Sequence, residues 1–230
     1  MFSRWSKRII TLLCSLAVLG FAVVIANGAS VGVTADQALK NLMDGNQRYV
    51  AGKMTNQKRS DATTRATLTK TQKPYAIILS CSDSRVPPEI IFDEGLGEIF
   101  VIRVAGNVAD PVVLGSIEYA AEHIGTPLVM VLGHKSCGAV TAAVKATGKP
   151  EGNLGQIVTA IQPAVEQAKK ETAGKPEAEV IDKAIDDNID LVAASLTKQS
   201  EVLKGLVAKG ELKIVKAKYD LEDGKVSLLK

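Results

Sequence analysis

Two short, uninterrupted apolar runs, residues 75–80 and 128–132, mark the middle of the chain. Both are rich in Ile, Val and Leu and lack a polar residue at every second position. They predict strands of a parallel sheet covered on both faces. Residues 98–104 and 212–219 predict two more strands, and Asp223-Gly224 predicts a hairpin turn into a last one over 225–229. Elsewhere apolar residues recur at helical spacing. Thr34-Ala-Asp-Gln37 reads as a capping box opening a helix to about Val50, with Ala38, Leu39, Leu42 and Met43 on its apolar face. Pro87-Pro88-Glu89 starts a short helix that Gly95-Leu-Gly97 stops. Further helices are predicted over 111–124, capped by Asp110, from Cys137 to about Thr147, over 154–170, and over 176–209 with a break near 197–200. The polar residues 53–73 predict a surface arm, partly helical around 61–70, and the lysines between Lys209 and Lys218 read as a solvated strand edge.

Strands and helices in this order predict an α/β fold. It has a mostly parallel central sheet with an antiparallel edge strand, helices on both faces and an N-terminal helical arm. Ligands of such sheets bind beyond the carboxyl ends of the strands. The first 29 residues stand apart. Arg4, Lys7 and Arg8 precede an uncharged apolar run from Ile9 to Ala26, followed by the small residues Gly28 and Ala29. This is the pattern of an export signal, or of an N-terminal anchor if it is left uncleaved. The expectation is a domain over 30–230 in the periplasm or otherwise exported, touching membrane only through residues 1–29. The chain carries 28 basic residues, three of them in that segment, against 25 acidic ones. The remainder is balanced and leaves no electrostatic footprint for nucleic acid.

The chemistry sits at the ends of the two apolar runs. The first leads into Cys81-Ser-Asp83-Ser-Arg85, and the second into Gly133-His134-Lys-Ser-Cys137. In an exported protein two cysteines suggest a disulfide. That reading leaves His134, Asp83 and Arg85 as coincidences. Two thiolates and an imidazole are instead three ligands of a catalytic zinc site with one position open, although cobalt or iron(II) would also accept this donor set. Such a centre is net neutral, so a nearby group must help hold a reactive water. Asp83 is placed to do so, and Arg85 can clamp Asp83 in a bidentate pair.

Cys-Ser-Asp-Ser-Arg at 81–85 with His-x-x-Cys at 134–137 resembles the zinc signature of the β-class carbonic anhydrases. The likeness extends through Glu98–Asn107 and Gly115–Tyr119 to the final hairpin, over roughly residues 34–230. The resemblance implies one Zn2+ per subunit on Cys81, His134 and Cys137, with Asp83 and Arg85 as a catalytic dyad. It implies reversible hydration of carbon dioxide to bicarbonate and a proton, by attack of zinc-bound hydroxide that the dyad orients. It also implies substrate contacts at Gly138, Phe100 and Ala105, and at Gln72 reaching across an obligatory homodimer whose sheet continues between subunits. A higher homo-oligomer is equally compatible. His123, near the end of a helix, is expected at the surface and not as a proton shuttle. Lys135 departs from the acidic or small residue usual in relatives. Two other readings share the motif: a hydrolase of carbonyl sulfide or carbon disulfide on the same scaffold, and a non-catalytic zinc- or bicarbonate-binding protein.

Overall fold

The structure, a computed structural model, describes residues 31–148 and 152–230. The expected export segment lies outside the described residues, and no helix among the described residues is long and apolar enough to cross a membrane. Five strands form one sheet: β1 (Ala76–Ser80), β2 (Ile99–Arg103), β3 (Leu128–His134), β4 (Lys213–Tyr219) and β5 (Val226–Leu228), in the order β2-β1-β3-β4-β5. The first four are parallel and β5 is antiparallel to β4. The helices are α1 (Ala35–Val50), α2 (Ala62–Thr67), α3 (Pro88–Ile91), α4 (Pro111–Glu118), α5 (Gly138–Lys145), α6 (Leu154–Glu171), α7 (Glu177–Gln199) and α8 (Glu201–Ala208). The predicted α/β architecture is the observed one.

Alternation along the central strands sorts side chains onto two cores. Ile77, Leu79, Val129 and Val131 pack with residues of α4 to α8, including Ile117, Ile161, Ile185 and Leu196. Ala76, Ile78, Leu128, Met130 and Leu132 face the other way, against Leu42 of α1, Ile91 and Phe92. All nine strand residues are fully buried, and each large one contributes about 2 kcal/mol by leaving water.

Polar groups tie the periphery to this frame. Thr34 caps α1 by accepting from Gln37 N–H, but the Gln37 side chain turns to Asn41, so only half of the capping box forms. Asn46 of α1 donates to Ile91 O and Gly224 O and accepts from Val226 N–H, stapling α1 to the C-terminal strand pair. The arm is pinned by acidic residues before β2. Asp93 accepts from Thr55 N–H, Asn56 N–H and Arg48, and Glu98 accepts from Arg59.

Four details differ from the sequence reading. β3 runs on to include His134, because its pairing with β4 continues to His134↔Tyr219. The helix expected over 111–124 widens into a π-helical turn over Tyr119–Ile124. The link between β4 and β5 spans residues 220–225 and is not a two-residue hairpin turn, although Gly224 does take the left-handed φ of +75°. The lysines of β4 lie on a sheet edge only in part. β5 pairs with β4 over Ala217–Tyr219, Lys213 stays exposed, and Lys216 and Lys218 lean across to Asp190 and Asp186 of α7 at 2.8 Å. Their aliphatic stems cover the sheet while the ammonium groups find carboxylates.

Glu94 is 6 % exposed beside Glu98. Burial, reinforced by the Glu98 carboxyl, pushes Glu94 up to about 8. A carboxyl that stays protonated in the fold but ionises when unfolded makes stability fall as pH rises from the unfolded value toward 8, by at most about 1.4 kcal/mol per pH unit. Glu94→Gln is therefore expected to flatten the stability–pH curve between about pH 5 and 8 and to exceed the parent's stability at the alkaline end. Urea denaturation across that range checks this, and parallel curves would contradict it.

Candidate metal centre

β1 and β3 are neighbours in the sheet, yet β2 lies between them in sequence on the far side of β1. The chain thus leaves the two strands in opposite directions, and a crevice opens at their carboxyl ends. Ser80 pairs with Leu132, so Cys81 follows β1 close to where His134 ends β3. Three residues on, Cys137 is the cap residue of α5. Reaching it takes a sharp reversal at Ser136, whose φ of +55° is a left-handed conformation uncommon outside glycine. The ligating atoms of Cys81, His134 and Cys137 all lie within 4.8 Å of one another. They are 4 %, 0 % and 1 % exposed, and both cysteines are free thiols. The disulfide reading is thereby excluded in this structure.

The imidazole is oriented for a metal. His134 Nδ1 lies 2.8 Å from the Lys135 carbonyl, which can only accept, so Nδ1 carries the proton. Nε2 is left with a lone pair, fully buried and without a hydrogen-bond partner. A buried nitrogen of that kind, facing two sulfurs, fits a soft divalent ion. The thiols are electrostatically coupled. A hydrogen bond from Cys137 lowers Cys81, helped by the Gly106 N–H, while the neighbouring thiolate and burial push Cys137 up. The metal-free pair therefore shares one proton.

Asp83 and Arg85 sit at the rim. Arg85 Nε and Nη2 donate to the two Asp83 oxygens at 2.9 and 2.7 Å, and the Arg85 N–H adds a third bond at 3.0 Å. This holds the Asp83 carboxyl well below the usual carboxylate range. Asp83 Oδ2 lies 3.9 Å from His134 Nε2.

Comparison with known proteins decides the family. The carbonic anhydrase family pattern matches residues 76–226. Carbonic anhydrase 2 of Mycobacterium tuberculosis is 41 % identical over 194 residues, which cover 83 % of this chain and 91 % of that protein. The chain belongs to the β-carbonic anhydrase family. Among solved structures, the β-carbonic anhydrase CafA of Aspergillus fumigatus is 26 % identical, with a TM-score of 0.69 over 84 % of this chain and 90 % of that one. Tetrameric β-carbonic anhydrases of Sordaria macrospora share the fold at 21 % identity and a TM-score of 0.68, over 84 % of this chain and 97 % of that one.

Other expected site residues of this carbonic anhydrase are spread more widely. Gly138 is the first residue of α5, exposed, with open space where a Cβ would project. Ala105 opens the tight turn after β2. Phe100 lies mid-strand in β2, its ring 6.3 Å from that of Tyr119. Gln72 is exposed and walls a cavity of about 600 Å³ with Leu68, Tyr119, His123 and Ile124. None of the three ligand residues lines that cavity. His123 is exposed, as expected.

Sequence reading missed the groups that hold the loops. Arg103, at the end of β2, donates to Cys81 O at 3.1 Å and to Asp83 O at 2.6 Å, clamping the backbone that carries both. A charged residue closing an apolar strand was the available signal. Lys135 uses its backbone on both sides, its N–H donating to Tyr219 O and its carbonyl holding His134, while its side chain pairs with Asp220 at 2.7 Å.

In the metal-free protein at pH 6, alkylation of Cys81 by iodoacetamide, read by peptide mass spectrometry, is expected to slow by about tenfold or more in Cys137→Ala, because the thiolate loses the donor that stabilises it. An unchanged rate would contradict the shared proton.

Proposed function

We propose that this carbonic anhydrase binds one Zn2+ per subunit through Cys81, His134 and Cys137 and hydrates carbon dioxide reversibly, with Asp83 and Arg85 as its catalytic pair. The observation that carries this is the unpartnered, buried His134 Nε2 facing two sulfurs, with an ionised carboxylate 3.9 Å away. When bound, zinc supplies the Lewis acidity that makes water a nucleophile near neutral pH. The residues do the rest. Asp83 Oδ2 accepts the hydrogen bond that fixes the nucleophile's orientation. Arg85 keeps Asp83 ionised and aimed, so that it accepts and does not donate. The Gly138 N–H, free at the start of α5, receives a substrate oxygen, and Phe100 and Ala105 offer apolar surface to carbon dioxide. His123 takes no part, and the product proton leaves through water or buffer.

The working unit in this reading is a homodimer or a higher homo-oligomer. β2 is an edge strand whose Ile99, Phe100, Val101 and Ile102 are only half-buried. An apolar edge of this kind favours pairing with a second copy, and Gln72, which lines a cavity that none of its own chain's ligand residues line, would then serve those of its partner. The basic and apolar pattern of residues 1–29 supports export of the domain over 30–230.

Two experiments check this reading. Stopped-flow hydration assays on zinc-loaded protein should show activity that a chelator abolishes and zinc restores. Asp83→Asn should lower the rate by about 100-fold or more with zinc content unchanged, and His123→Ala should not change it. Zinc-loaded protein that hydrates no carbon dioxide but releases sulfide from carbonyl sulfide or carbon disulfide would overturn the substrate. Zinc-loaded protein inert toward all three would make it a binder. Val101→Glu, which sets a charge in the open strand edge, should yield monomers by analytical ultracentrifugation, whereas an unchanged sedimentation coefficient would move the interface elsewhere.

A further inference from the structure

Gly106 is held through both of the peptide groups that flank it. Its N–H donates to Cys81 Sγ at 3.3 Å, and its carbonyl accepts from Asn188 Nδ2 at 2.9 Å. The backbone there has φ +68°, and an added Cβ would come within 2.7 Å of Ile161 Cδ1 and 3.2 Å of Ala139 Cβ. Only glycine lets the peptide approach the sulfur in this way.

Asn188 comes from the middle of α7, far from the site in sequence. It is 1 % exposed, between Ile185, Ile189 and Val192 on the face that packs under the sheet. A carboxamide is a costly choice in that company. Its Oδ1 has no hydrogen-bond partner among the described residues. An aliphatic side chain would serve packing better. What the amide alone provides is the hold on Gly106 O.

We propose that Asn188 is a positioning residue of the metal centre: by anchoring the Gly106–Asn107 peptide it fixes the backbone at Gly106, so that the N–H of the preceding peptide stays aimed at the Cys81 sulfur. An N–H···S hydrogen bond draws electron density from a thiolate, so α7 sets how strongly one ligand donates to the ion and how rigidly that ligand is held. This rests on Cys81 being a metal ligand.

Cobalt(II)-loaded protein provides the test. In Asn188→Leu and Asn188→Ala, the sulfur-to-cobalt charge-transfer band is expected to move to lower energy, because the thiolate loses a hydrogen bond that stabilised its electrons. Zinc should pass to a competing chelator about tenfold faster, with far-UV circular dichroism unchanged. A folded variant with the parent's band position and zinc-release rate would overturn the proposal. Loss of the fold in both variants would also overturn it, by making Asn188 a structural residue. If the parent protein binds neither cobalt nor zinc, the ligand assignment itself falls, a result distinguishable from failure of the variants alone.

Discussion

The parallel pairing of β1 with β3 is the constraint on which the site depends. Ser80 lies beside Leu132, so the residues that follow each strand emerge together at one end of the sheet. A one-residue slip in that register would turn every side chain of β1 to the other face. Ile77 and Leu79 would leave the core formed with α4 to α8, and Ile78 would leave the core under α1 and α3. The same burial that stabilises the sheet therefore fixes where Cys81 and His134 meet. Both strands are buried along their whole length.

Around that frame, backbone groups aim the chemistry and charged groups steady it. The Lys135 carbonyl selects the His134 tautomer, and the Gly106 N–H meets the Cys81 sulfur. Arg103 holds the carbonyls of Cys81 and Asp83 from the neighbouring strand, while Arg85 holds the Asp83 carboxylate. Two guanidinium groups thus grip one short loop, one by its backbone and one by its side chain. Backbone strain is accepted at Ser136, in the turn that places Cys137 at the start of α5.

Much of this was legible in the sequence because it follows from local pattern. The apolar runs gave β1 and β3, the spacing of Cys81, Asp83 and Arg85 gave one half of the site, and His134 with Cys137 gave the other. The break between α7 and α8 was legible too, where Ser200 ends one helix and caps the next. What stayed hidden depends on pairing across long separations. Periodicity does not say that β5 covers the end of β4 or that α7 offers carboxylates to Lys216 and Lys218, so the lysines read as a solvated edge. Nothing local marks Asn188 as the partner of Gly106, 82 residues away. The widening at Tyr119–Ile124 keeps a helical pattern and so reads as ordinary helix.

The reading of this chain as a zinc enzyme comes down to whether two sulfurs and one imidazole close on a single ion. X-ray absorption at the zinc K-edge of the loaded protein, at neutral pH, reads that directly. Two sulfurs at about 2.3 Å, with one imidazole nitrogen and one further light atom at about 2.0–2.1 Å, are expected. A shell of light atoms alone, with Cys81 and Cys137 joined as a disulfide, would contradict it.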